Sequence, residues 1–188
     1  MKKWLGILIV LILIGLVVFG WFRSGYDRAI QLDEQVKSGW AQVENQLQRR
    51  NDLIPNLVAT VKGFATQEKT IFTEVTRLRS QWAEAKTIPE KIDKANEITA
   101  SLSRLLLVAE NYPQLKSNEN FLALQSQLEG TENRIAVERM RYNQSVQNFN
   151  AFRRSFFGRF FSSWAALTEP AAYFQSTETA SQVPPVNF

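Results

Sequence analysis

Residues 4–22 read WLGILIVLILIGLVVFGWF, nineteen consecutive uncharged residues, nearly all of them apolar. At ~1.5 Å of rise per residue a helix of this length covers roughly 28 Å, close to the ~30 Å hydrocarbon core of a bilayer, so the stretch is expected to cross a membrane with little tilt. Trp4, Trp21 and Phe22 stand at its two ends, where large rings favour the headgroup zone. A removable signal peptide is the rival reading, because Lys2 and Lys3 precede the apolar run. The run exceeds the ~7 to 15 residues of a signal core, and Gly20-Trp21-Phe22-Arg23-Ser24-Gly25-Tyr26 offers no small-x-small cleavage site, so a retained span is expected. Orientation is close to a tie, with Lys2 and Lys3 on one side against Arg23, Arg28 and Lys37 on the other. Gly15 and Gly20 lie five apart rather than four. The small-xxx-small dimer pattern is therefore missing, and association between copies is left open.

The rest of the chain is polar and, at ~165 residues, large enough for one domain with its own core. There is no cysteine, which excludes disulfides, thiolate metal sites and a lipid anchor on cysteine. The absence of histidine says more. It removes the Ser-His-Asp triad, His-ligated zinc or haem, and the helical metal motifs built on Glu and His. No glycine-rich phosphate loop is present. A net charge of +4 with Lys and Arg interleaved among Asp and Glu describes the solvated surface of long helices. Neither nucleic-acid binding nor a cofactor is expected, and no enzyme. Catalysis would require carboxylates such as Glu68, Glu119 and Glu132 to converge in one cleft.

Periodicity predicts helices almost throughout. Leu32, Val36, Trp40, Val43, Leu47, Ile54, Leu57, Val61, Phe64, Ile71, Val75, Leu78 and Trp82 recur at three, four or seven residues and form one apolar stripe. Pro55 falls inside it and must kink, interrupt or restart the helix. Thr87 and Glu90 have the spacing of a capping box, with Pro89 acceptable in the first turn. The second helix starting there carries Ile88, Ile92, Ala95, Ile98, Leu102, Leu105 and Ala109 and ends at Asn111-Tyr112-Pro113. A third, from about residue 118 to 152, carries Phe121, Leu124, Leu128, Ile135, Tyr142, Val146 and Phe149. These faces can be buried only against one another. The expected fold is all-α: an N-terminal transmembrane helix over 4–22, then an antiparallel bundle of three or four long helices over 24–174. From about Gln175 to residue 188, Ser, Thr, Gln and Pro dominate and a flexible tail is expected.

Two blocks are too specific to be bundle filler. The first is WAQVENQLQRRNDLIPNLV at 40–58, continuing to VKGF at 61–64. The second is NENFLALQ at 118–125, then LEGTENRIAVER at 128–139 and RYN at 141–143. Together with PPVNF at 184–188 they resemble the LemA family of bacterial membrane-anchored proteins, over nearly everything after Tyr26. The resemblance implies a single-pass protein of the bacterial cytoplasmic (inner) membrane, with a short outer N-terminus and a helical bundle in the cytoplasm. It also implies a biochemical activity that is unsettled across the family. A relative in magnetotactic bacteria is linked to building magnetosome membranes, and many members are encoded near membrane proteases. Where relatives commonly have K-G-Y-A-x-H-E, this chain has Phe64 and Gln67, with Lys62, Gly63, Ala65 and Glu68 retained, so any role needing that histidine is lost. The usual I-R-x-F-P turn appears as Phe152-Arg153-Arg154-Ser155-Phe156-Phe157, without its proline.

Polar residues on the apolar seams mark the first candidate site. Arg50 lies midway between Leu47 and Ile54, and Thr131 and Glu132 midway between Leu128 and Ile135. They are expected to form one polar layer whose Arg–Glu pair fixes helix register. A partner or ligand site on the same residues, or Arg50 snorkelling to the surface, are the alternatives. The second candidate is the segment carrying Phe152, Arg153, Arg154, Phe156, Phe157, Arg159, Phe160, Phe161 and Trp164. It either closes the end of the bundle, with Gly158 marking a turn, or lies in the headgroup layer with its arginines on lipid phosphates. Three function classes remain open. The leading one is a non-enzymatic membrane-anchored scaffold or organiser of envelope proteins or of the membrane itself, its partners being the bilayer and membrane or envelope proteins. An adaptor or regulator of a membrane protease comes second, and an enzyme last.

Overall fold

The computed structural model describes residues 2–175, which are helical almost throughout and contain no strand. The elements are α1 (Lys2–Lys62), α2 (Lys69–Glu84), α3 (Ile88–Val108), a 3₁₀ turn (Ala109–Asn111), α4 (Pro113–Lys116), α5 (Glu119–Arg154) and α6 (Phe156–Trp164). The chain groups into two compact units, one from Met1–Trp40 and Tyr142–Ala171, the other from Ala41–Arg141 and Ala172–Phe188. The PPVNF motif and nearly all of the expected tail lie outside the described residues.

In the unit from Ala41–Arg141 and Ala172–Phe188, helix α1 runs through Pro55 without ending. Proline has no N–H for the carbonyl four residues back, which is that of Asn51. Arg79 of α2 supplies the missing donor, its Nε lying 3.1 Å from the Asn51 oxygen. The stripe breaks instead at residues 63–68, between α1 and α2. The single stripe expected over 32–82 is displaced by one residue on either side of the break and resumes as expected at Val75, Leu78 and Trp82. Ala65 is buried where Phe64 was expected and Phe72 is buried beside a half-exposed Ile71, whereas Phe64 itself is exposed.

Helix α3 opens on a complete capping box. The Thr87 hydroxyl accepts from Glu90 N–H at 3.3 Å, and the Glu90 carboxylate accepts from the Thr87 and Lys86 amides at 3.2 and 3.0 Å. Those backbone donors hold the Glu90 carboxyl below the usual carboxylate range. Ile92, Ala95, Ile98, Leu102 and Leu105 are buried on one face, as the helical period requires. Ion pairs Lys91–Glu44 and Arg104–Glu74 tie α3 to α1 and to α2. Beyond α6 the chain returns to this unit, where Phe174 is buried under the Arg139 guanidinium, 4.1 Å from the ring centre.

In the unit from Met1–Trp40 and Tyr142–Ala171, Ala29, Leu32, Val36 and Trp40 of α1 are buried, as are Tyr142, Val146 and Phe149 of α5. Trp40 meets Tyr142 edge-on at 5.6 Å, and burial pushes the Tyr142 phenol up to about 12. Upstream, Ile7 to Phe19 are exposed all round. Among the described residues α1 is the one helix long and apolar enough to cross a membrane. An all-round apolar surface of this length suits hydrocarbon rather than water.

The turn between α5 and α6 forms without a proline. Ser155 Oγ donates to the Phe152 carbonyl at 2.7 Å and accepts from Gly158 N–H at 3.1 Å, capping α6. Gly158 is more than a turn marker, because a Cβ there would collide with the Phe152 carbonyl. The far end of α6 closes in a Schellman arrangement, with Leu167 N–H on the Ser162 carbonyl and Ala166 N–H on the Ser163 carbonyl. Ala166 takes the left-handed conformation there, with φ 57°, which directs the chain into an extended strap. Asn150 holds that strap through two hydrogen bonds to the Ala171 backbone, at 2.9 and 3.0 Å.

Candidate functional site

Arg50 of α1 is 2% exposed, and its one guanidinium donates to acceptors on both α3 and α5. Nη1 reaches Thr99 Oγ1 at 2.6 Å and Glu132 Oε2 at 3.1 Å, while Nη2 reaches the Ala95 carbonyl at 3.0 Å. Nε has no partner. Burial pulls the Arg50 pKa down from its ordinary value, and the Glu132 charge and hydrogen bond oppose that shift. The arrangement is asymmetric, because the Glu132 side chain is 42% exposed. Thr131 is buried, but its hydroxyl donates to the Leu128 carbonyl of its own helix at 2.8 Å and not to the arginine.

Two members of this cluster lie outside the layer expected from the sequence. Thr99 follows the seam residue Ile98 and has no sequence mark of its own. The reach to the Ala95 carbonyl does have a signal, a small residue in a stripe of Ile and Leu, which leaves room for a guanidinium against backbone. Arg139, half-buried, also feels the group: desolvation lowers its pKa most, with Glu132 raising it and Arg50 lowering it further. A cleft of about 120 Å³ opens beside the pair, lined by Arg50, Thr99, Leu102, Leu106, Leu128 and Glu132. That is below the ~300 Å³ lower bound usual for small-molecule sites. The layer presents a cation with acceptors on both Nη atoms and none on Nε, and the Thr99 hydroxyl lies 3.4 Å from Glu132 Oε1. Of the carboxylates Glu68, Glu119 and Glu132, the last two are separated by about 20 Å along α5.

Helix α6 sorts the second candidate segment into two faces. Phe157 and Phe161 meet Trp21 at 5.1 and 5.2 Å, and Phe160, Phe161 and Trp164 meet Phe22 at 6.2, 5.8 and 5.4 Å, all edge-on. Phe161 is buried among them and lies against Gly25, where a Cβ would overlap its ring. Phe156, 87% exposed, with Phe157, Phe160 and Trp164, keeps apolar surface facing outward. The aromatics thus pack on the end of the apolar run of α1 and also remain exposed beside it. On the other side, Arg153, Arg154, Arg159, Ser162 and Ser163 line a cleft of about 620 Å³. Arg153 donates to the Thr168 carbonyl, which ties α5 to the strap. Trp4 is exposed at the start of the run.

An apolar, exposed stretch at the start of α1, followed by further helices, marks a membrane-associated helical protein. The LemA family model matches residues 39–188, and the chain belongs to that family. It is similar to magnetosome protein MamQ 2 and magnetosome protein MamQ 1 of Paramagnetospirillum magneticum, each 26% identical over 151 residues. Magnetosome protein MamQ of Magnetospirillum gryphiswaldense is 25% identical over the same length. These alignments cover 66% of this chain, and the chain spans 56% of the length of the relatives it matches. The family match begins at Gly39, so it rests on the helices downstream of the apolar run and not on the run itself.

Proposed function

We propose that this protein is a single-pass membrane protein that organises envelope proteins, or the membrane itself, without catalysing a reaction, its helices lying in the cytoplasm. The exposed apolar run Ile7 to Phe19, continuous with a helix whose later residues are buried, carries this reading. The likeness to magnetosome proteins supports membrane association. Close to the run the charges nearly balance, Lys2 and Lys3 against Arg23, Arg28 and Lys37, so the cytoplasmic location rests on the resemblance to the LemA family and not on the positive-inside count.

The test is photo-crosslinking in intact cells from exposed positions on α5, with a photoreactive residue in place of Leu122 or Met140. Discrete adducts with integral membrane or envelope proteins are the expected result. An adduct confined to a membrane peptidase selects the adaptor reading instead, and failure to form any protein adduct from either position contradicts both protein-directed readings and leaves only organisation of the membrane itself.

A further inference from the structure

We infer that the arginine cleft beside α6 is a binding site for the phosphate of an anionic lipid headgroup. Arg153, Arg154 and Arg159 converge on it, and among the described residues no carboxylate lines it. Thr168 lines the cleft, and Glu169, next to it in sequence, does not. Three cations brought together without a counter-charge repel one another unless an anion joins them. The polar groups point the same way. Ser162 lines the cleft, is 1% exposed, and its buried Oγ has no hydrogen-bond partner. Arg153 uses Nη1 on the strap and keeps a buried, unpartnered Nε. A buried donor without a partner is costly, and a phosphate offers several acceptor oxygens that suit both hydroxyl and guanidinium groups.

Placement selects lipid as the source of that phosphate. The opposite face of the same nine-residue helix packs on Trp21 and Phe22, which close the apolar run. If that run spans the bilayer, as proposed above, α6 lies at the level of the headgroups, with Phe156, Phe157 and Trp164 facing the acyl boundary and the arginines facing phosphate. The inference rests on that reading, so integration into the bilayer is checked first, by flotation of the reconstituted full chain after carbonate washing. A chain stripped off by carbonate contradicts the membrane reading itself.

With integration established, spin-labelled phosphatidylglycerol and spin-labelled phosphatidylcholine are compared in phosphatidylcholine bilayers, and the motionally restricted fraction gives their relative association. The expected preference for phosphatidylglycerol is about fivefold or more, the factor that a single basic side chain near an anionic surface supplies. Arg154→Gln with Arg159→Gln, both exposed, should bring the ratio close to one while the circular dichroism stays that of the native chain. Ser162→Ala should lower the ratio with no change in charge, and it carries the test if the double variant fails to fold. Arg49→Gln with Arg134→Gln, on a different cleft, should leave the ratio unchanged. Equal association of the two lipids with the native chain overturns the inference, as does a ratio that survives both the double variant and Ser162→Ala. Abolition of the preference by millimolar inorganic phosphate would assign the cleft to a free phosphate instead and overturn the lipid assignment.

Discussion

Glu132→Leu is expected to destabilise the protein more than Arg50→Met, although the two residues form one ion pair. Removing Glu132 leaves a guanidinium that is 2% exposed without its counter-charge and leaves Arg139 facing it. Stranding a buried charge of this kind costs about 3–5 kcal/mol. Removing Arg50 leaves a carboxylate that is 42% exposed and that water can solvate, and Met fills much of the vacated volume. The loss there is expected to be about 1–2 kcal/mol, the scale of the hydrogen bonds given up. The double variant should recover most of the Glu132→Leu loss, because an apolar replacement of the whole pair leaves no stranded charge. Urea unfolding of the full chain in detergent, followed by tryptophan emission, measures all three. Equal single losses, or a double variant weaker than Glu132→Leu alone, would show that the pair is not the register-fixing contact of this unit.

The second large effect falls at Gly25. Its missing Cβ admits the Phe161 ring against α1, so Gly25→Leu must drive that ring out. The displaced Phe161 loses its burial and its edge-on contacts with Trp21 and Phe22. Truncating a buried Phe costs about 3–5 kcal/mol, and expulsion should approach the lower end of that range. Gly20→Leu is the matched control, since a Cβ at Gly20 meets nothing within 4 Å. Limited proteolysis at the α5–α6 turn is expected to accelerate in Gly25→Leu and to stay at the native rate in Gly20→Leu. In a Phe161→Ala background the Gly25→Leu effect should largely vanish, because the two changes act on one contact.

What could be read from the sequence was whatever local spacing encodes. The apolar run, the capping box at Thr87 and the seams on α3 and α5 all arise from residues within a few turns of one another. Arg50 and Glu132 stood out because each interrupted a hydrophobic period. Thr99 and Arg139 did not, because nothing near them in sequence marks a partner on another helix. Where α1 passes through Pro55, the Asn51 carbonyl is taken up by Nε of Arg79, twenty-four residues beyond the proline. Gly25 reads as an ordinary small residue until the Phe161 ring is seen against it. Thr131 shared the seam with Glu132 but satisfies its hydroxyl on its own helix, as a threonine readily does. The two readings of the segment 152–164, closure of a packed end and contact with headgroups, are compatible because the aromatics of α6 pack on Trp21 and Phe22 while Arg153 and Arg154 of α5 and Arg159 of α6 line a separate cleft.

If residues 4–22 cross the membrane and leave the later helices in the cytoplasm, as proposed, a single introduced cysteine reports it. The chain has no cysteine, so one introduced by Ser80→Cys, on the exposed side of α2, is a unique label. An impermeant maleimide applied to intact spheroplasts should leave this position unmodified and should label it fully after lysis. Labelling before lysis would put the helices outside the cytoplasm and overturn the proposed topology.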